Sequence, residues 1–248
     1  MIESGHRPPG DLAMTWLIAW RAAVEALHDR LTLLMSVFFS IVLPFVLLVL
    51  AIGPLAAEGD AKLGGLLAFY LLLVGLMPAV SAVGIAAGQF AGEKERGVLT
   101  PLLASPASNV AIFGGKVLGA IIPPLIYATL AETVYVLGIA MLLGPPRLLL
   151  LPAWLSITML ALVPGVACFA AIVSSLISSR VRTYNAAQQI GGLLLMPVWG
   201  VMLSLAVKLE DWGPPALVGA VTGLVLIDIV LTVIAATTWR REEVLSHT

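Results

Sequence analysis

The sequence predicts an all-α, polytopic membrane protein. It has six transmembrane helices, an N-terminal interfacial helix and a short helix in the loop between spans 2 and 3. Three observations predict this. First, of 248 residues 60% are hydrophobic and 11% charged, with a mean hydropathy of +1.06. Soluble domains carry about 25% charged residues, so lipid solvates most of this chain. Second, six stretches reach the ~20 apolar residues that cross a bilayer as a helix. Third, an eleven-residue polar island, Gly92-Glu93-Lys94-Glu95-Arg96-Gly97-Val98-Leu99-Thr100-Pro101-Leu102, separates two of those stretches. Four consecutive charges need water, so the island marks a loop outside the hydrocarbon.

In chain order, residues 1–30 form a polar N-terminus and the interfacial helix. The first residues lack the basic-then-apolar layout of a signal peptide, and the mature chain is read as starting at Met1. Over residues 11–30, Trp16, Trp20, Val24 and Leu27 share a helical side, while Arg21, Glu25, His28 and Asp29 keep other faces wet. Residues 11–55 are too long for one span, so a turn is expected near Asp29-Arg30. The six-span domain covers 31–239. Its spans are expected near Leu31–Leu55, Leu63–Phe90, Lys116–Leu143, Leu151–Ile177, Ala186–Val207 and Pro215–Trp239. A loop at about 91–115 joins spans 2 and 3, and a tail of 240–248 follows the last span.

Lys and Arg set the orientation. Of 13 such residues, ten fall on the side of the termini and the island: Arg7, Arg21, Arg30, Lys94, Arg96, Lys116, Arg180, Arg182, Arg240 and Arg241. Lys62, Arg147 and Lys208 fall on the other side. Both termini and the island are therefore expected in the cytoplasm. The opposite loops are short and exclude a receptor with an outside domain. A net charge of −1 gives no basic field for nucleic acid.

Pro44, Pro78, Pro123-Pro124, Pro164 and Pro197 sit inside spans, where each can kink its helix. Glycines at four-residue spacing, Gly84/Gly88/Gly92, Gly115/Gly119 and Gly219/Gly223, permit close helix approach. Packing within the chain is the preferred reading over dimerisation.

Much familiar chemistry is missing. His6, His28 and His247 lie outside the spans, and no His-Glu-x-x-His zinc pattern occurs. The single Cys168 makes no internal disulfide and no thiolate metal site. Gly115-Lys116 resembles the end of a phosphate-binding loop, but Val117 replaces the hydroxyl residue and Val110 the first glycine. A nucleotide site is not expected in this chain. Two acids, Glu132 and Asp228, fall inside spans, where acids face an interior, pair or stay protonated. With Tyr127, Gln188 and Gln189 they are candidates for a substrate path.

After the charges, Thr100-Pro101 and Ser105-Pro106 each place a hydroxyl residue before proline, a helix-start pattern. A short surface helix offering Leu99, Leu102 and Leu103 is expected there.

These residues carry a resemblance. Gly92-Glu93-Lys94-Glu95-Arg96-Gly97-Val98-Leu99, then Leu102-Leu103-Ala104-Ser105-Pro106 and Gly115-Lys116, resemble the signature of type-2 ATP-binding-cassette (ABC) exporter permeases. Ser178-Ser179-Arg180-Val181-Arg182 with Ala186-Ala187-Gln188-Gln189 is similar to the family's turn into span 5. Arg240-Arg241-Glu242-Glu243-Val244-Leu245 is similar to its C-terminal end. Val98 and Thr100 depart from the usual Thr and acid.

The resemblance implies the membrane-spanning permease subunit of an exporter, forming the substrate pathway beside a second permease subunit, the same or homologous. Two copies of a cytoplasmic ABC ATPase would dock on the coupling helix and hold the ATP and Mg; this chain would carry no cofactor and would not itself be an enzyme. The implied coupling residues are Glu93, Lys94, Glu95, Arg96, Gly97, Leu99, Leu102, Leu103, Ser105 and Pro106. The implied location is a bacterial plasma (inner) membrane. The alternative reading is a secondary transporter or channel driven by an ion gradient through Glu132 and Asp228; a membrane scaffold without transport is a third.

Overall fold

The computed structural model describes residues 10–57, 59–98, 105 and 107–239, and among them every regular element is helical. Helix α1, Asp11–His28, precedes six helices long and apolar enough to cross a membrane. These are span 1 (Arg30–Ile52), span 2 (Lys62–Glu95), span 3 (Asn109–Leu142), span 4 (Ala153–Arg180), span 5 (Tyr184–Ser204) and span 6 (Gly213–Thr238). They lie where the apolar stretches predict them.

One boundary differs with consequence. Span 3 starts at Asn109, because the Ser108 hydroxyl accepts from the Ala111 N–H at 3.1 Å and caps the helix there. Lys116, expected at the mouth of the loop, is thereby inside the helix and buried. Span 2 likewise carries Glu93–Glu95 as its last turn.

Asp29 makes the turn between α1 and span 1. Its backbone is extended (φ −69°, ψ 117°), and its carboxylate accepts from the Thr32 N–H at 2.9 Å. Hydrogen bonds from Thr32, helped by nearby Arg96, hold the Asp29 carboxyl below its ordinary range. A carboxyl depressed in the native state stabilises above its unfolded pKa of about 4, and the contribution fades as pH falls through the native value. Asp29→Ala should therefore cost about 1 kcal/mol of stability at pH 7. The gap to wild type should close in acid melts.

Spans 2 and 4 form the centre: each buries 61% of its most apolar window, against 11–28% for the others. Consecutive spans alternate in direction, so spans 2, 4 and 6 run the same way. Span 3 packs against α1 and spans 1, 2 and 4, while span 6 lies mainly on span 4. The core has two parts. Leu67, Leu71, Tyr135, Met159 and Leu162 fill one. Phe90, Ile112, Phe113, Ala170 and Trp239 fill the other, on the island side.

The glycine stripes divide. Along Gly84, Gly88 and Gly92 lies the side chain of Tyr184, within 3.6–3.8 Å of where a Cβ would stand at each. Gly115 and Gly119 receive α1: their Cβ positions would meet the Thr15 and Ala19 carbonyl oxygens at 2.8 Å. Ile18, Ala19, Ala22 and Ala23 are buried there, leaving Trp16 and Trp20 exposed on the other side of α1. These two stripes pack within the chain, as preferred. Gly219 and Gly223 meet nothing within 4 Å. Span 6 buries only the narrow stripe of Leu217, Leu224, Asp228 and Ala235, so its glycines stand on the open side.

The prolines also divide. Pro78 breaks span 2, and the Ser81 N–H and hydroxyl both donate to the Pro78 carbonyl, at 3.0 and 2.7 Å. Pro44 lies between two wide π-turns, Phe38–Val42 and Leu47–Ile52. Pro123-Pro124, Pro164 and Pro197 are carried within single continuous helices.

Candidate functional site

The island is half anchored and half presented. Span 2 widens to a π-turn at Gly88–Gly92 and then makes a last α-turn. Gly97, at φ +69°, ends it. Its N–H donates to the Lys94 carbonyl at 3.1 Å and the Val98 N–H to the Glu93 carbonyl at 3.0 Å. These two bonds make a Schellman ending, which needs the left-handed residue that glycine supplies without strain. Gly97→Ala should cost about 1–2 kcal/mol at this turn. Gly97→Asn should cost less, and limited proteolysis of the 96–108 loop would rank the three forms.

Glu93 and Lys94 turn inward. The Glu93 carboxylate pairs with the Lys116 ammonium at 2.7 Å, where the Lys116 side chain is 2% exposed and that of Glu93 19%. Lys116 also donates to the Gln89 carbonyl at 2.5 Å and lies 5.2 Å from the centre of the Phe90 ring. Lys94 donates to the Ser179 carbonyl at 3.0 Å and reaches the Val181 carbonyl at 3.4 Å. It thus closes the C-terminal end of span 4, where bare carbonyls and the helix dipole favour a cation. Two of the four island charges therefore tie span 2 to spans 3 and 4. The polar island holds charge without full hydration because each inward charge has partners.

Glu95, Arg96, Gly97 and Val98 are exposed. The Arg96 guanidinium donates back to the Gly92 carbonyl at 3.0 Å. Ser105 is half-buried and Ala107 buried as the chain enters span 3. Leu99, Leu102, Leu103 and Pro106, with the Thr100-Pro101 start signal, lie outside the described residues, as do Arg7, the histidines at 6 and 247, and the 240–248 tail.

The expected path residues are not gathered round one pathway. Tyr127 is buried on the span 1 side of span 3, within hydrogen-bonding reach of Ser36. Gln188 lies on span 5 near Gly84 of span 2, and Gln189 is exposed beside it. Asp228 of span 6 is buried against span 4 near Gly165, and its Oδ1 has no hydrogen-bond partner. Glu132 of span 3 lies against Gly75 of span 2 and Met159 of span 4, and its Oε1 also has no partner. Gly165 lies six residues beyond Met159, about a third of a turn round span 4. The two acids thus meet different faces of that helix. An ionised carboxylate at lipid depth costs about 2.5–3.5 kcal/mol on insertion scales, and neither acid has a protein partner at these oxygens to offset that cost.

Glu132 borders a cavity of about 310 Å³, together with Leu71, Thr133, Val136, Leu137, Ser156 and Met159. Among the described residues no cluster of His, Cys, Asp and Glu has the makings of a metal site.

Sequence reasoning missed three structural residues. The sequence places Lys116 at the mouth of span 3 as one of the cytoplasmic-side cations and gives it no partner, although its place in the Gly-Lys pair after the island is a signal. Gly75 and Tyr184 carried no local signal, because their neighbours come from other spans.

No curated protein matches the chain by sequence. A family model described as ABC-2 type transporter matches residues 14–204, from α1 through span 5. That match covers more than half of the chain and includes the island, its buried anchor and both central spans: the protein belongs to the ABC-2 type transporter family, as a multi-pass membrane transport component.

Proposed function

We propose that this chain is the permease subunit of an ABC exporter and that it couples its substrate pathway to a separate cytoplasmic ATPase through the island. Two ATPase copies holding ATP and Mg would serve two permease subunits, this one and an identical or homologous second. The island side faces the cytoplasm of a bacterial cell, as the Lys and Arg distribution supports.

The observation that carries the reading is the anchored island. Glu93 bonds span 3, Lys94 bonds the end of span 4, and Gly97 turns the chain outward between them. A push on the loop beyond Gly97 would therefore reach spans 2, 3 and 4 together, through short charged contacts instead of a slack linker. Glu95, Arg96, Leu99, Leu102 and Leu103 are the proposed docking side chains, with Ser105 and Pro106 leading back to span 3. Glu93 and Lys94 contribute by fixing the island from inside.

The test is co-purification with the co-expressed ATPase. Leu102→Asp with Leu103→Asp should abolish it while leaving the amount of chain in the membrane unchanged. Retained ATPase would overturn the docking role. Transport that continues without any ATPase and collapses with the proton gradient would favour the ion-driven reading instead.

A further inference from the structure

We infer that the cavity at Glu132 is a binding site for a single-chain organic cation, an amphiphile with an ammonium head and an apolar tail, entering from the lipid phase. The inference rests on the transport reading above and names the substrate class for one of its path residues.

Three observations at the carboxylate carry it. The Glu132 Oε1 is buried and has no donor in the protein. Thr133, which lines the same cavity, donates its hydroxyl to the Thr129 carbonyl at 2.7 Å, so that proton is engaged elsewhere. Neither Lys nor Arg lines the cavity. A carboxylate in this setting is complementary to a cation that arrives with the ligand.

The space is made by the fold. A Cβ at Gly75 would collide with both the Glu132 carboxylate and the Met159 methyl. Glycine at 75 lets the carboxylate lie against span 2 beside an otherwise apolar wall of Leu71, Val136 and Met159. At about 310 Å³ the cavity is at the small end of ligand pockets. It equals the liquid volume of about ten waters, enough for a trimethylammonium head and several methylenes.

The opening gives the route. Leu137, which lines the cavity, is 54% exposed, and Ser156 is also exposed. Glu132 lies about 15 Å along span 3 from its Leu142 end, at lipid depth. A ligand can therefore slide in sideways with its tail still in hydrocarbon. A phospholipid choline head fits less well, because its phosphate would bring a second negative charge beside Glu132.

The experiment is equilibrium dialysis of labelled octyltrimethylammonium against the full-length chain in zwitterionic-lipid nanodiscs, with empty discs subtracted. Saturable binding is expected, with octylphosphocholine and octyl sulfate competing at least tenfold more weakly than the unlabelled cation. Glu132→Gln should weaken binding at least tenfold, Glu132→Asp should restore most of it, and Gly75→Val should abolish it. No saturable binding, Glu132→Gln within twofold of wild type, or octylphosphocholine competing as well as the cation would each overturn the inference. The assay contains no ATPase. Its failure therefore leaves the coupling reading standing, and loss of the coupling reading leaves this result intact.

Discussion

Lys116→Met is expected to be the most damaging single substitution outside the helix-breaking class. Methionine keeps the length and the apolar stem of lysine, so the volume beside Phe90 changes little. What disappears is the charge. Glu93, 19% exposed, is left without its cation, and the Gln89 carbonyl loses its donor. Removing one member of a buried ion pair costs about 3–5 kcal/mol, because the remaining charge is stranded. Glu93 retains some water, which puts the expectation at the lower end of that range.

The check is a double-mutant cycle by thermal or denaturant unfolding. Glu93→Gln with Lys116→Met should recover a substantial part of the loss, since neither charge is then stranded. If the two single effects simply add, within about 0.5 kcal/mol, the pair is not coupled and the anchoring account fails. Co-purified ATPase should fall with Lys116→Met and partly return in the double variant.

The second large effect is expected at Gly119. A Cβ there would stand 2.6 Å from the Ala22 Cβ and 2.8 Å from the Ala19 carbonyl oxygen. Neither neighbour is the tip of a flexible side chain, so Gly119→Ala can be relieved only by moving α1 as a body. Overpacking of this kind costs about 1–3 kcal/mol, and it falls on one contact, α1 against span 3. Faster hydrogen exchange is predicted across α1, with the six spans unchanged. Gly192→Ala is the control. That glycine is on the open face of span 5 with nothing within 4 Å, so alanine there should leave α1 exchange untouched. Equal effects at both positions would mean that Gly119 acts through helix propensity and not through contact.

Both predictions concern residues that the sequence placed in motifs without revealing their neighbours. Gly115-Lys116 reads locally as a failed phosphate loop. In the structure the two residues meet different neighbours, Gly115 packing on α1 and Lys116 pairing with Glu93. The motif's halves, separated along the chain by the loop between spans 2 and 3, meet in space. The spacing of each half was visible; the meeting was not.

The spans themselves were legible because the bilayer imposes one length and one composition on every crossing helix. The turn at Asp29-Arg30 was legible because residues 11–55 are too long for one span, whereas the cap that Asp29 makes on Thr32 came only with the structure. Glu132 and Asp228 stood out in the sequence as charges in lipid-length helices. Their surroundings depended on Gly75 and Gly165, glycines distant in the chain that no local pattern connects to them.

The sequence by itself thus determined the class of protein, the number of spans, the island and the two membrane acids, since each follows from hydropathy and charge over short windows. Tertiary structure alone decided which island charges are anchors and which are presented. It also separated the two acids onto different faces of span 4 and opened space at Glu132. Those outcomes depend on which helix faces meet, a property of pairs of distant segments that no single window of sequence contains.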